Sequence, residues 1–262
     1  AGAFDGYPPA GAGTGMRNGR RTTERGDGAG RGGRFASVAL PLALWLALAP
    51  VTARAGDENA AGSGAQAAAS ETAETRAKPL RLFGTVEFRG PLKGLPSWLR
   101  VMERNRQHPV FEPGSRLNAS TTWDEFKARA EKLPPMEQLK MVNRFWNQWP
   151  YRLDPELYGK PDYWAAPYEF LKKSGDCEDY SIVKYYTLRA LGWPADKLRI
   201  VVLMETIRNV AHAVLVAYLD DDAYVLDNLS DNVLSHTRYK SYAPQFSVNE
   251  NYRWAHIKPK KP

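Results

Sequence analysis

The sequence has one cysteine, Cys177, so no disulfide can form within the chain. A zinc site built from several Cys or His ligands has no basis around it either. Nor is there an unbroken apolar stretch of the roughly 20 residues that span a bilayer. The run Val38–Ala49 is interrupted by Pro41 and followed by Pro50. Aromatic residues are absent from Gly56 to Lys78, and only Phe4, Tyr7, Phe35 and Trp45 precede residue 80. Net positive charge is small outside the beginning of the chain. Residues 1–55 hold seven Arg against Asp5, Glu24 and Asp27, which is four of the seven net charges. The high pI therefore gives little support to nucleic-acid binding, which needs a basic patch on the folded domain.

What is present is an apolar content of 43%, enough for a packed core, with the aromatic residues concentrated after residue 80. The basic stretch Arg17–Arg34, the apolar run and the small-x-small pair Ala53 and Ala55 have the order of a secretory signal peptide cut after Ala55. Met16 opens directly onto that stretch and is a candidate natural start. Residues 1–55 are thus read as an N-terminal extension with a signal peptide, leaving no stable membrane insertion after cleavage. Residues 56–79, rich in Ala, Gly, Ser, Thr and Glu, are read as a flexible linker. Residues 80–262 are read as one domain, with Lys258–Lys261 as a solvated basic tail.

Within the domain, helical spacing is expected over Pro96–Arg104, over Thr122–Leu133 with Thr121 or Thr122 as cap, and from Pro134-Pro135 through Trp146. Tyr163–Lys172 reads as a short helix and Asp176–Leu191 as a longer one, closed by Gly192 and Pro194. Leu80–Phe88 is a strand or an arm. Leu198–Met204, Ala211–Leu219 and Ala223–Asp227 read as strands, the last two joined by an acidic turn at Asp220–Asp222. Helices followed by an antiparallel sheet define an α+β fold.

An unpaired thiol in an exported protein needs either burial or a chemical task. Cys177 follows Ser174-Gly175-Asp176, so it falls in the first turn of the longer helix, where free N–H groups and the helix dipole favour a thiolate. Asp176, Glu178 and Asp179 act against this, so a cation or a base is needed beside them. A thiol nucleophile requires an imidazole, and the imidazole an orienting group. Of the four histidines, His108 precedes a Pro in a loop-like stretch, His236 follows the sheet in a polar segment and His256 is near the chain end; only His212 opens an apolar strand. The next strand ends at Asp227, and the hairpin can bring the two residues level.

Gly175-Asp176-Cys177-Glu178-Asp179-Tyr180, Ala211-His212-Ala213-Val214-Leu215 and Leu226-Asp227-Asn228 resemble the bacterial transglutaminase-like cysteine proteinases. Trp149-Pro150-Tyr151 and the segment Asp162–Pro167 match the approach to the family's nucleophile, and the likeness runs roughly from Leu95 to Tyr252. The resemblance implies a papain-like, transglutaminase-like core, a periplasmic address and a Cys177–His212–Asp227 triad. It implies calcium held by Asp176, Glu178 and Asp179, which are hard oxygen donors suited to that ion and alternatively plain helix-capping residues. It further implies cleavage of a large surface adhesin near its N-terminus at a dialanine-glycine site, releasing biofilm cells, and restraint by an inner-membrane cyclic-di-GMP receptor. Asn143, Trp146, Asn147 and Gln148 are candidate oxyanion donors beside the Cys177 N–H. Trp164 is read as core or as an exposed partner contact near the site. Two other functions remain open, transglutaminase-like acyl transfer on the same triad and a catalytically silent receptor-binding module. In the linker, Asn59-Ala60-Ala61-Gly62 carries a dialanine-glycine sequence of its own.

Overall fold

The computed structural model describes residues 80–259. The expected signal peptide, the linker with its Ala60-Ala61 motif and the last three residues of the chain lie outside the described residues.

Six helices come before most of the sheet: α1 (Pro96–Gln107), α2 (Trp123–Ala130), α3 (Pro135–Trp146), α4 (Asp154–Tyr158), α5 (Pro167–Lys173) and α6 (Cys177–Ala190). Their starts follow local chemistry. The side chain of Thr122 accepts from the N–H of Glu125 while Glu125 reaches back to the N–H of Thr122, a capping box that fixes the start of α2. α3 and α5 each begin at a proline, whose missing N–H costs nothing in a first turn. α6 ends at Ala190 with Leu191 as its C-cap, and Gly192 at φ +93 turns the chain away.

The strands are β1 (Val86–Gly90), β2 (Leu198–Glu205), β3 (Val210–Leu219), β4 (Asp222–Asp227), β5 (Ser230–Ser235), β6 (Tyr242–Val248) and β7 (Arg253–Ile257). They form one sheet in the order β1-β7-β6-β2-β3-β4-β5, each neighbouring pair antiparallel. The three expected strands are β2, β3 and β4, within a residue or two. The sheet is wider than the sequence reading, because β5, β6 and β7 lie beyond Asp227, where no strand was expected. His256 is not at a frayed end. It is buried on β7, with its ring nitrogens 2.9 Å from Thr85 Oγ1 and 2.8 Å from Ser247 Oγ.

Alternation along β2 and β3 sends Ile200, Val202, Ala213, Leu215 and Ala217 into the main core against the helices. Val201, Leu203, Val214 and Val216 pack on the other face with Leu82, Ala223 and Val225. From Cys177 to Leu188 every residue of α6 is buried, so this helix is the centre of the molecule and has no solvent stripe. Its beginning is consequently held in place by packing on all sides. Among the described residues no helix is long and apolar enough to cross a membrane.

Candidate active site

Cys177 occupies the first position of α6, with Asp176 as N-cap, and its residue is 8% exposed. The side chain of Asp179 folds back over Gly175, accepting from the N–H of Asp176 at 3.3 Å and from the N–H of Ala165 at 2.6 Å. A Cβ on Gly175 would lie 2.0 Å from Asp179 Oδ2, which accounts for the glycine two positions before the thiol. Ser174, at φ +64 and ψ −159, holds a backbone conformation that side-chain-bearing residues rarely adopt, and its hydroxyl donates to Pro150 O. Gly175→Ala must displace the Asp179 carboxylate and is expected to cost about 2 kcal/mol or more, the scale of overpacking plus a lost cap. Urea unfolding of the variant measures it. An unchanged midpoint would show that Asp179 gives way freely.

The pairing of β3 with β4 stops at Leu215↔Leu226, so the first residues of β3 have no β4 partner. Here α6 meets the sheet. A backbone hydrogen bond from Ala213 favours the ionised Cys177 sulfur, while the thiol donates to Glu178 Oε2 at 3.2 Å. Burial, with the charges of Glu178 and Asp176 added, pushes the Cys177 pKa well above that of an ordinary thiol.

His212, next to Ala213, lies 2.9 Å through Nε2 from Asp227 Oδ1, and both residues are buried. They are not level, contrary to the expectation for the hairpin. By the register Leu215↔Leu226, Asp227 is offset by two residues from His212, and the imidazole bridges the diagonal. Asp227 also accepts from Tyr242 Oη at 2.5 Å and from the N–H of Leu229 at 3.0 Å. Burial pushes the Asp227 carboxyl up, but the hydrogen bond and charge of His212, with Tyr242 and Leu229, outweigh it and hold the pKa below the usual carboxylate value. Tyr242 has no signal in the sequence beyond being aromatic.

Beside the thiol is a group of carboxylates, of which Asp154, Glu178 and Asp179 are buried and Asp162 is exposed. Oxygen atoms of Asp154, Asp176 and Asp179 lie within 4.8 Å of one another, as do those of Asp154, Asp162 and Glu178. Mostly through burial, with neighbouring carboxylates adding, Asp154 is pushed up to about 7, Glu178 to about 8 and Asp176 to about 9. Asp154 Oδ1 and Asp176 Oδ1 are buried with no hydrogen-bond partner among the described residues. Orphaned buried oxygens among mutually repelling carboxylates fit a hard cation such as calcium. Asp176 and Glu178 belong to that set. Asp179 has both oxygens in backbone hydrogen bonds, and Asp154 and Asp162 supply donors that sequence reasoning missed.

Three of the four candidate oxyanion donors are committed elsewhere. Trp146 Nε1 donates to Thr187 Oγ1 at 2.8 Å, and the Asn143 and Asn147 amides donate to the β4–β5 connection. Gln148, exposed after α3, remains. Trp164 is buried, its ring 6.5 Å from that of Trp98, and so presents no exposed contact for a partner.

Residues 118–262 match the family described as bacterial transglutaminase-like cysteine proteinase. The chain belongs to this family. It is a cysteine protease with an α+β, transglutaminase-like fold. Legionella pneumophila LapG is similar to it at 37% identity over 51% of this chain and 75% of LapG, with a TM-score of 0.47. LapG in its calcium-bound form is 30% identical over 63% of this chain and 90% of LapG, with a TM-score of 0.49. No curated protein matched.

Proposed function

We infer that the protein is a calcium-dependent periplasmic endopeptidase whose triad is Cys177, His212 and Asp227. Its proposed substrate is a large surface adhesin, cut near the N-terminus at a dialanine-glycine site so that cells leave a biofilm. An inner-membrane cyclic-di-GMP receptor is its proposed restraint. The observation that carries the catalytic reading is the buried His212–Asp227 hydrogen bond one residue from Ala213, whose backbone engages the thiol. The calcium-bound form of a relative and the orphaned carboxylate oxygens support the metal. The adhesin, the receptor and the address rest on family resemblance.

With Nε2 held by Asp227, Nδ1 of His212 is the nitrogen that takes the proton of Cys177. The thiolate attacks the peptide carbonyl carbon, and the developing oxyanion is met by the Cys177 N–H with Gln148 as candidate second donor. Collapse breaks the C–N bond, His212 protonates the leaving amine, and a thioester remains on Cys177. His212 then removes a proton from water, which attacks the thioester and releases the acid and the thiol. Asp154, Asp162, Asp176 and Glu178 are the residues that would hold calcium. Bound there, it supplies positive charge that offsets carboxylates otherwise opposed to the thiolate.

Incubation with an N-terminal adhesin fragment, in calcium and in EGTA, tests this reading by product mass. Two fragments divided at the dialanine-glycine site, in calcium alone, are expected. Cross-linked product would replace hydrolysis by acyl transfer, and intact fragment in both conditions would leave a binding module.

A further inference from the structure

Lys184 lies on α6 two turns beyond Cys177, and it is fully buried. Its Nζ donates to Asn143 Oδ1 at 2.8 Å and to Asn147 Oδ1 at 2.7 Å. Among the described residues it forms no ion pair. Burial lowers its pKa to about 7, with Asp227 and Asp231 opposing that shift. An unpaired buried cation costs stability, and an apolar side chain of the same length would fill the space without that cost. What Lys184 provides is direction. With both Oδ1 atoms facing the ammonium, the two amide NH2 groups can point only the other way, because flipping either would set NH2 against the ammonium and oxygen against oxygen.

The NH2 groups meet the connection between β4 and β5. Asn143 Nδ2 donates to Ser230 O at 2.7 Å. Asn147 Nδ2 donates to Asp227 O at 3.0 Å, Ser230 O at 3.1 Å and Asp231 Oδ1 at 3.1 Å. Asp227 ends β4, Ser230 begins β5, and the Asp227 side chain holds His212. We propose that Lys184 is a positioning residue for the catalytic acid, fixing the Asp227–Ser230 turn through Asn143 and Asn147 and thereby the carboxylate that orients the imidazole. The inference rests on the triad assigned above.

The test uses the full chain in calcium chloride. Cys177 is its one cysteine, so alkylation by iodoacetamide at pH 7 reports the thiol alone. A second readout is the downfield proton resonance of the His212 ring N–H, identified by its loss in His212→Ala. Lys184→Met and Asn147→Ala are each expected to slow alkylation about tenfold or more, as displaced catalytic groups do, and to shift or broaden the resonance. The double variant should be no slower than the slower single one, because both act along one chain of bonds. Wild-type rates in both single variants, with Asp227→Asn and His212→Ala slow, overturn the positioning role and leave the triad standing. Wild-type rates in all four overturn the triad itself. Slow alkylation with an unmoved resonance assigns Lys184 a charge effect on the thiol and overturns positioning. If Lys184→Met does not fold, Lys184→Leu, which also removes the donor to both asparagines, takes its place with the same two readouts and the same overturning results.

Discussion

Cys177→Ala is expected to reduce adhesin cleavage by at least about 10⁴-fold while the protein stays folded, because truncation removes the atom that forms the acyl bond. The change deletes one sulfur at the start of a helix that is buried from Cys177 to Leu188, so most of its packing is kept. Burial, Glu178 and Asp176 keep the thiol protonated at neutral pH, so its removal relieves no charge, and the thermal midpoint should fall only slightly, by the loss of one buried sulfur. His212→Ala is expected to cost nearly as much activity, since the thiolate then has no base to form it and the leaving amine no acid. Removing both residues together should cost little more than removing one, as in other sites where nucleophile and base act as a unit. Product quantification by mass spectrometry checks all three proteins. Cleavage by Cys177→Ala within tenfold of wild type would place the nucleophile elsewhere.

The central sheet was legible where burial on both faces demanded it. Leu198–Glu205 and Val210–Leu219 are nearly continuous apolar strands, and Asp220 at φ +52 makes the turn expected at Asp220–Asp222, of which Asp222 already belongs to β4. The strands that follow Asp227 were not legible. β5 buries one apolar side chain, Val233, and β7 places His256 inward, where Thr85 and Ser247 satisfy it from distant parts of the chain. Such strands are specified by partners and not by their own pattern. At the site, the lone cysteine after a cap and the histidine opening a strand could be picked out locally. Asp154 and Asp162 lie on separate segments with no periodic relation to Cys177, and only folding brings their oxygens to Glu178. Asn143 and Asn147 are one turn apart on and just after α3, which made them plausible oxyanion donors. That Lys184, some forty residues on, claims their oxygens is a tertiary fact.

Calcium removal is expected to be the second large effect, and its size should depend on pH. In the metal-free protein Asp154, Glu178 and Asp176 titrate near 7, 8 and 9, above their unfolded values near 4. The folded state therefore holds protons that the unfolded chain has released. The stability this gives is full below about pH 4 and is lost as pH rises through about 7 to 9. Calcium binds the ionised carboxylates, so proton and metal compete, and its contribution grows over the same window. At a thousandfold excess over its dissociation constant a ligand of the folded state contributes about 4 kcal/mol. For a domain of this size that is about 10 °C in Tm. The Tm difference between calcium-loaded and EGTA-treated protein should thus widen from about pH 5 to about pH 9, with activity lost on chelation. Asp176→Asn and Glu178→Gln should remove the calcium response while making the metal-free protein more stable near pH 8, since each relieves a buried repulsion. Asp179→Asn should act in the opposite sense, because its oxygens hold the N–H groups of Ala165 and Asp176: lower stability throughout, with the calcium response retained. Scanning calorimetry of the four proteins at several pH values tests the assignment. A Tm difference that is constant with pH, or one abolished by Asp179→Asn and preserved in Asp176→Asn, would move the metal to other ligands.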